Sequence, residues 1–152
     1  MPAVLLTGMS GVGKSTVLAE LSARGIRTVD TDYGDWIQEV DGERLWREDR
    51  IAALLEGPGD VVLVGTVANQ GRFYDRLAGV VLLTVPVEEA LRRIDSRANN
   101  DWGKRPDDRA AIERDFAEVE PVLRPGATLI LDGRLPVAES ADAIVRLLRP
   151  TS

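Results

Sequence analysis

Nine residues near the start of the chain, Gly8-Met9-Ser10-Gly11-Val12-Gly13-Lys14-Ser15-Thr16, match the pattern G-x-x-x-x-G-K-[ST] at every specified position. The pattern needs a buried strand before it and a helix after it. Residues 3–6 are an unbroken apolar run, and Val17-Leu18-Ala19-Glu20-Leu21 has helix-forming character. Glycines at 8, 11 and 13 allow backbone conformations closed to other residues. Successive N–H groups then turn inward and cradle phosphate oxygens at a helix N-terminus. Gly8, Ser10, Gly11, Val12, Gly13, Lys14, Ser15 and Thr16 are therefore expected around the phosphates. Lys14 supplies a point charge for the β- and γ-phosphates, and the Ser15 hydroxyl is the expected Mg²⁺ ligand. The stretch predicts a site for a nucleoside triphosphate, taken as ATP, with Mg²⁺.

The rest of the chain supplies the scaffold such a loop requires. Short stretches at 26–30, 60–64, 80–85 and 128–131, those at 60–64 and 80–85 largely apolar, join 3–6 as five predicted strands. Helical patterns fall between them, at 14–24, about 35–40, 43–56, 69–77, 87–97, 109–123 and 136–148. Within 43–56 the helical spacing is carried by Leu45, Trp46, Ile51, Leu54 and Leu55, and Asp41-Gly42 reads as a turn before it. Strands alternating with helices predict an α/β fold: a three-layer α/β/α sandwich with a five-stranded parallel sheet, the P-loop NTPase arrangement. All 152 residues are expected in one domain. The polar stretch at about 98–108 is the candidate lid, and about 32–56 the candidate acceptor-binding region. Ligands of such sheets bind beyond the carboxyl ends of the strands. The phosphate loop, Asp30 to Asp32 and Gly65-Thr66 are thereby expected in one crevice.

Composition removes several chemistries. The chain has no cysteine and no histidine, which excludes a thiol nucleophile, a zinc site and a His-based triad. Any general base is then a carboxylate. A net charge of −6 without a Lys/Arg block argues against nucleic acid as a partner. No apolar run approaches the roughly 20 residues of a membrane span, and no charged segment and cleavage site mark a signal peptide. A cytoplasmic monomer or homodimer is expected.

Three groups of residues carry the candidate chemistry. Asp30 and Asp32 stand at one strand's end with one residue between them, so both carboxylates reach a similar region. Asp30 is expected to hold Mg²⁺ through water, and Asp32 to orient or deprotonate an acceptor hydroxyl. Arg93 and Arg97 share a helix face at i, i+4 and lead into the candidate lid, where guanidinium groups steady a transferring phosphoryl. Arg44, Arg47 and Arg50 recur every third residue on the helix expected at 43–56. Such a stripe is either an anion-binding face or the wet face of an amphipathic helix. Arg134, after the last strand, is placed to stack on a nucleotide base or simply to decorate a connection.

The whole pattern resembles the small P-loop kinases, the group of shikimate, gluconate, nucleoside and nucleotide kinases. Asp30-Thr31-Asp32 looks like the Asp-x-Asp of the shikimate kinases, and Gly42-Glu43-Arg44-Leu45-Trp46-Arg47 is similar to their Gly-Glu-x-x-Phe-Arg. The resemblance implies that Asp32 and Arg47 hold the acceptor and that Arg93 and Arg97 lead into a lid. The chain departs from that family in two places. Gly65-Thr66-Val67 stands where three glycines are usual, so Gly65 alone is carried over as an acceptor contact. Glu120 stands near the place of an arginine that would bind a carboxylate, and an acid there would repel a carboxylate-bearing acceptor. Residues 65–74 also resemble those of bacterial AAA-type ATP-binding proteins of this size. There Asn69, Gln70 and Arg72 are expected to read the acceptor, or Asn69 only caps the next helix.

The resulting expectation is an ATP-dependent phosphotransferase acting on the hydroxyl of a small molecule. A nucleotide kinase would instead clamp a phosphate acceptor with Arg44, Arg47 and Arg72. A nucleotide-dependent switch would want an Asn-Lys-x-Asp motif and a terminal Asp on the third strand, and neither occurs.

Overall fold

The computed structural model describes residues 2–96 and 105–149. Its centre is the apolar strand β1 (Ala3–Thr7), buried along its entire length. Alternate residues of a strand face opposite sides, so a strand buried throughout must be covered on both faces. Val4 and Leu6 pack in one layer with Leu21, Val62, Val81, Ile144 and Leu148. Ala3 and Leu5 pack in the other with Trp46, Ile51, Leu63 and Phe73. The first layer lies under α1 (Lys14–Ala23) and α6 (Val137–Leu148), and the second under α2 (Glu48–Glu56).

The remaining strands of the main sheet are β2 (Arg27–Asp30), β5 (Val61–Val64), β6 (Gly79–Thr84) and β7 (Leu129–Asp132), and β3 (Ile37–Val40) with β4 (Glu43–Trp46) forms a separate hairpin. The five-stranded sheet is parallel in the order β2-β5-β1-β6-β7. This is the three-layer parallel fold expected from the alternation of strands and helices. The order matters for the site, because the ends of β2, β5 and β1 become neighbours. Among the described residues, no helix is long and apolar enough to cross a membrane.

The segment from 35 to 47 corrects the sequence reading. Helices were expected at 35–40 and from 43 onward; the chain instead forms the antiparallel hairpin β3–β4, pairing Ile37 with Trp46 and Val40 with Glu43. Asp41 and Gly42 both have positive φ, 52° and 82°. That is the two-residue hairpin turn that Asp-Gly favours. Leu45 and Trp46 therefore lie on opposite faces of a strand, and helical spacing begins only with α2.

Other differences are smaller. Residues 70–76 form a 3-10 helix where a short α-helix was expected. The helix expected to run on to 97 is α3 (Val87–Asp95). The one expected at 109–123 is α4 (Pro106–Glu118) followed by α5 (Glu120–Leu123). Pro121 accounts for the break, since it lacks an N–H and crowds the carbonyl four residues back. Pro106, Asp107 and Asp108 belong to the first turn of α4, where proline and acids are favoured. The last residues of the candidate lid are thus helical, and its residues 98–104 lie outside the described residues.

One glycine is required by packing at the join between hairpin and sheet. A Cβ on Gly65 would meet the Thr31 hydroxyl and lie 3.4 Å from Trp46 Nε1. The Gly65→Ala variant is expected to lose about 1–3 kcal/mol of stability through overpacking, read as a lower midpoint in urea denaturation. An unchanged midpoint would show that Thr31 and Trp46 can separate without loss.

Candidate active site

The phosphate loop is held from three sides. Met9 and Val12 bury their side chains in the core. Gly11, with φ 83°, packs so closely on α3 that a Cβ would lie 2.7 Å from the Ala90 carbonyl oxygen. Thr66, just beyond β5, accepts a hydrogen bond from the Gly8 amide at 3.3 Å and donates to the Gly8 carbonyl at 3.0 Å. Lys14 Nζ donates to the Gly8 and Met9 carbonyl oxygens at 2.6 and 2.9 Å. The lysine thus lies across the loop's own mouth. Ser15 and Thr16 are exposed in the first turn of α1, which leaves the Ser15 hydroxyl open to a ligand.

The acidic turn follows β2. Thr31, between the two aspartates, is buried: its amide and its hydroxyl both donate to the Val64 carbonyl, at 2.9 and 2.8 Å. The Trp46 indole N–H donates to the same hydroxyl oxygen at 2.9 Å. With Thr31 fixed inward, Asp30 and Asp32 are left to the crevice. Asp30 Oδ1 accepts the Asp32 amide at 3.1 Å. Partial burial pushes the Asp30 carboxyl above its ordinary value; the Asp32 amide works against this, the Asp32 charge adds to it, and the Lys14 charge lowers it again. Thr31 bonds the end of β5 and Thr66, just past it, bonds Gly8, so the acidic turn and the phosphate loop meet at the end of that strand.

The arginines are distributed differently from the expected stripe. Arg44 is on β4, Arg47 immediately precedes α2, and Arg50 is within α2. Arg44 pairs with Asp32 at 3.2 Å. Arg47 and Arg50 both pair with Asp35, at 3.2 and 2.9 Å. Arg47 Nε is buried, and its contact with Asp35 has ion-pair distance without hydrogen-bond geometry. Arg72 lies 3.5 Å from Glu48. On the other side of the phosphate loop, Arg93 donates to the Val12 carbonyl at 3.2 Å and to the Gly133 carbonyl at 2.9 Å. It ties the loop to the connection after β7. Arg134, on that connection, folds back on Asp132, with Nη2 at 2.8 Å from Oδ2. The guanidinium holds the Asp132 carboxyl down at about 2. Arg97 lies outside the described residues.

Three expectations are corrected. Gly65 is buried against Thr31 and Trp46, a packing position rather than an open acceptor contact. Asn69 and Gln70 face protein rather than a ligand, and the Asn69 side chain does not cap the following helix. Asn69 accepts from the Trp46 amide at 2.9 Å and donates to its carbonyl at 3.1 Å, as an added strand would. Buried Gln70 donates to Thr7 Oγ1 at 3.3 Å and to the Tyr74 hydroxyl oxygen at 2.7 Å. Glu120 is also buried; its Oε1 accepts from Thr84 Oγ1 at 2.7 Å and Arg124 Nη2 at 2.8 Å. Its charge is met by Arg124, so it is no argument against a carboxylate-bearing acceptor.

Thr31, Trp46 and Thr66 were not expected in these roles. Only their places, between two aspartates and just past a strand end, hinted at them. Among the described residues there is no cluster of three or more side chains able to hold a metal. The donor set, one exposed hydroxyl and one nearby carboxylate, suits an ion that is held mainly by phosphates and water, as Mg²⁺ is.

Residues 4–114 match the family model described as AAA domain. The shikimate kinase of Nitrobacter winogradskyi is 32% identical over 94% of this chain and 75% of its own length. Among solved structures, shikimate kinase from Acinetobacter baumannii in complex with shikimate superposes with a TM-score of 0.66 at 24% identity, covering 97% of this chain and 92% of that one. Deoxyadenosine kinase from M. mycoides with bound dATP gives 0.61 at 15% identity, covering 95% and 97%. The two structural likenesses carry the fold.

The environment of Asp30 has a measurable consequence. Its folded-state pKa is raised, so the native state binds that proton more tightly than the unfolded chain does. Stability then falls as pH rises through the interval between the two values, and the deficit is complete above it. Asp30→Asn is expected to be more stable than the parent chain at pH 7, with the gain shrinking as pH falls through the raised folded-state pKa and gone below the unfolded value of about 4. Thermal midpoints at several pH values check this; no gain at neutral pH would show that Lys14 and the Asp32 amide outweigh desolvation.

Proposed function

The chain belongs to the AAA-domain family and is a small P-loop kinase related to the shikimate kinases; from that premise we propose how its residues divide the work of moving the γ-phosphoryl of ATP to a small-molecule hydroxyl. The observation that supports the reading is that Thr66, just past β5, bonds Gly8, while Thr31, between the aspartates, bonds the Val64 carbonyl at the end of β5. The triphosphate loop and the acidic turn thus both join the end of one strand.

On this reading, the nucleotide's phosphate oxygens replace the Gly8 and Met9 carbonyls as partners of Lys14 Nζ. The loop amides from Gly8 to Thr16 surround the phosphates. The Ser15 hydroxyl would hold Mg²⁺, with Asp30 behind it through water. When bound, Mg²⁺ neutralises charge that builds on the phosphate oxygens. Asp32 accepts the proton of the acceptor hydroxyl as its oxygen bonds to the γ-phosphorus, and the bond to the bridging oxygen breaks with its electron pair leaving on ADP. Arg44 fixes the Asp32 carboxylate. Arg93 holds the phosphate loop and the connection after β7 in register, and Arg134 borders the place of the base. Arg97 is assigned to the transferring phosphoryl, and Arg47 and Arg72 to the acceptor. Most of the rate enhancement then comes from positioning and charge stabilisation. A substrate of this kind places the enzyme where ATP is, in the cytoplasm.

The kinship with shikimate kinases supports a hydroxyl acceptor over a phosphate acceptor. Arg44, Arg47 and Arg72 each share charge with a carboxylate in exposed pairs, which an arriving acceptor can displace.

ADP release across a panel of nucleosides, nucleoside monophosphates, sugar acids and shikimate tests the reading, with Lys14→Ala as the blank. One acceptor is expected to raise ADP release well above the water background. With that acceptor, Asp32→Asn is expected to lower kcat by roughly 10²–10⁴-fold, the range of a lost general base. A mild effect, with a phosphorylated acceptor preferred, would replace this reading with the nucleotide-kinase one.

A further inference from the structure

The short segment after β5 touches both halves of the site. Toward the nucleotide, Thr66 Oγ1 holds both the amide and the carbonyl of Gly8 and lies 2.8 Å from Thr7 Oγ1. Toward the acceptor, Asn69 pairs with both backbone groups of Trp46, and its Nδ2 also donates to Glu48 Oε2 at 3.1 Å. The Ala68 amide donates to the Arg44 carbonyl at 3.3 Å. Trp46 in turn holds Thr31, between Asp30 and Asp32, through its indole. Gln70 anchors the segment by accepting the Val67 amide at 2.9 Å and bracing Thr7.

The Gly8 carbonyl is the informative atom. It accepts from Lys14 Nζ at 2.6 Å and from Thr66 Oγ1 at 3.0 Å. A lysine that turns to phosphate oxygens leaves this carbonyl, and the Thr66 hydroxyl stays on it. A carbonyl that loses a cationic donor rebalances the hydrogen bond it keeps. Thr66 is therefore placed to register an occupied loop, and Asn69, three residues on, bonds the backbone of the strand that bears Arg44 and Trp46.

We propose that Thr66 and Asn69 are positioning residues that couple the phosphate loop to the acceptor hairpin, so that nucleotide binding at Gly8 tightens Trp46 and the turn from Asp30 to Asp32. The strands of the sheet close through their own backbone pairs, and the Thr66 and Asn69 side chains contribute nothing to those ladders. What they control is the spacing between donor and acceptor halves. The catalytic side of this proposal rests on the kinase reading; the structural side rests on the hydrogen bonds alone.

Hydrogen exchange of the full chain, followed at residues 29–33 and 43–47 with and without Mg·ATP, tests the coupling. In the parent chain Mg·ATP is expected to slow exchange at both stretches. At saturating Mg·ATP, Thr66→Val and Asn69→Ala are expected to lose that protection, Asn69→Ala with an ATP affinity close to that of the parent chain; Thr66→Ser, which keeps the hydroxyl, is expected to retain it. With an acceptor found in the panel, kcat of the first two variants at saturating ATP is expected to fall roughly tenfold to hundredfold, with little change in KM for ATP in Asn69→Ala, as for a misplaced reacting pair. Thermal midpoints identify a variant that is merely unfolded, and Thr66→Ser then carries the comparison. Protection that persists in both variants, or a loss of ATP affinity that accounts for the whole effect, overturns the coupling, as does unchanged exchange in the parent chain with Mg·ATP. Protection in the parent chain without any acceptor-stimulated ADP release overturns the kinase reading and leaves the coupling standing.

Discussion

A buried indole sets the layout of this crevice. Trp46 is wholly enclosed, and an unpaired N–H at such a place costs about 1–3 kcal/mol. It is met by Thr31 Oγ1, which is itself pinned to the end of β5. Gly65 leaves the room for that meeting, and Phe73 closes the indole's side with an edge contact at 5.9 Å. Once Trp46 is placed, its strand neighbours have little choice. Arg44, on the same strand face, arrives at Asp32, and Arg47, starting the next helix, arrives at Asp35. A buried hydrogen bond thus decides where exposed charges stand.

Those exposed charges are held far less firmly. Pairs such as Arg44–Asp32, Arg50–Asp35 and Arg72–Glu48 are partly or largely solvent-exposed, and ion pairs of that kind contribute about 0.2–1 kcal/mol each. They can exchange partners when a substrate arrives. The hydrogen bonds to the phosphate loop are of another sort. Thr66, Arg93 and Lys14 all bond to its backbone, and they keep its amides in a shape ready for phosphate. A fixed frame carrying exchangeable charges is what positional catalysis needs.

The sequence was most legible where structure is local. Five short stretches became five strands, and the phosphate loop took the strand–loop–helix form that its glycines allow. It was least legible at 35–47, where Leu45 and Trp46 happened to continue the helical spacing of Ile51, Leu54 and Leu55. The Asp41-Gly42 turn was seen, but its positive φ values, the sign of a hairpin, arise only when two strands pair across it. Asn69 was misjudged for a related reason. An asparagine before a helical stretch reads as a cap, and nothing nearby in sequence reveals that the Trp46 backbone lies beside it. Glu120 looked like a free acid because Thr84 and Arg124 reach it only in the fold.

By itself the sequence determined the phosphate loop, the five strands, the class of fold and the absence of histidine and cysteine chemistry. Each follows from residue type and short-range spacing, and these act before the chain is compact. The tertiary structure decided which groups work together: Thr66 on Gly8, Trp46 on Thr31, Arg44 on Asp32, Arg93 across two loops. These depend on the order β2-β5-β1-β6-β7, which makes the ends of β1, β2 and β5 neighbours. Five short strands would read alike in any order, so only packing can bring residues 8, 31 and 66 to one edge.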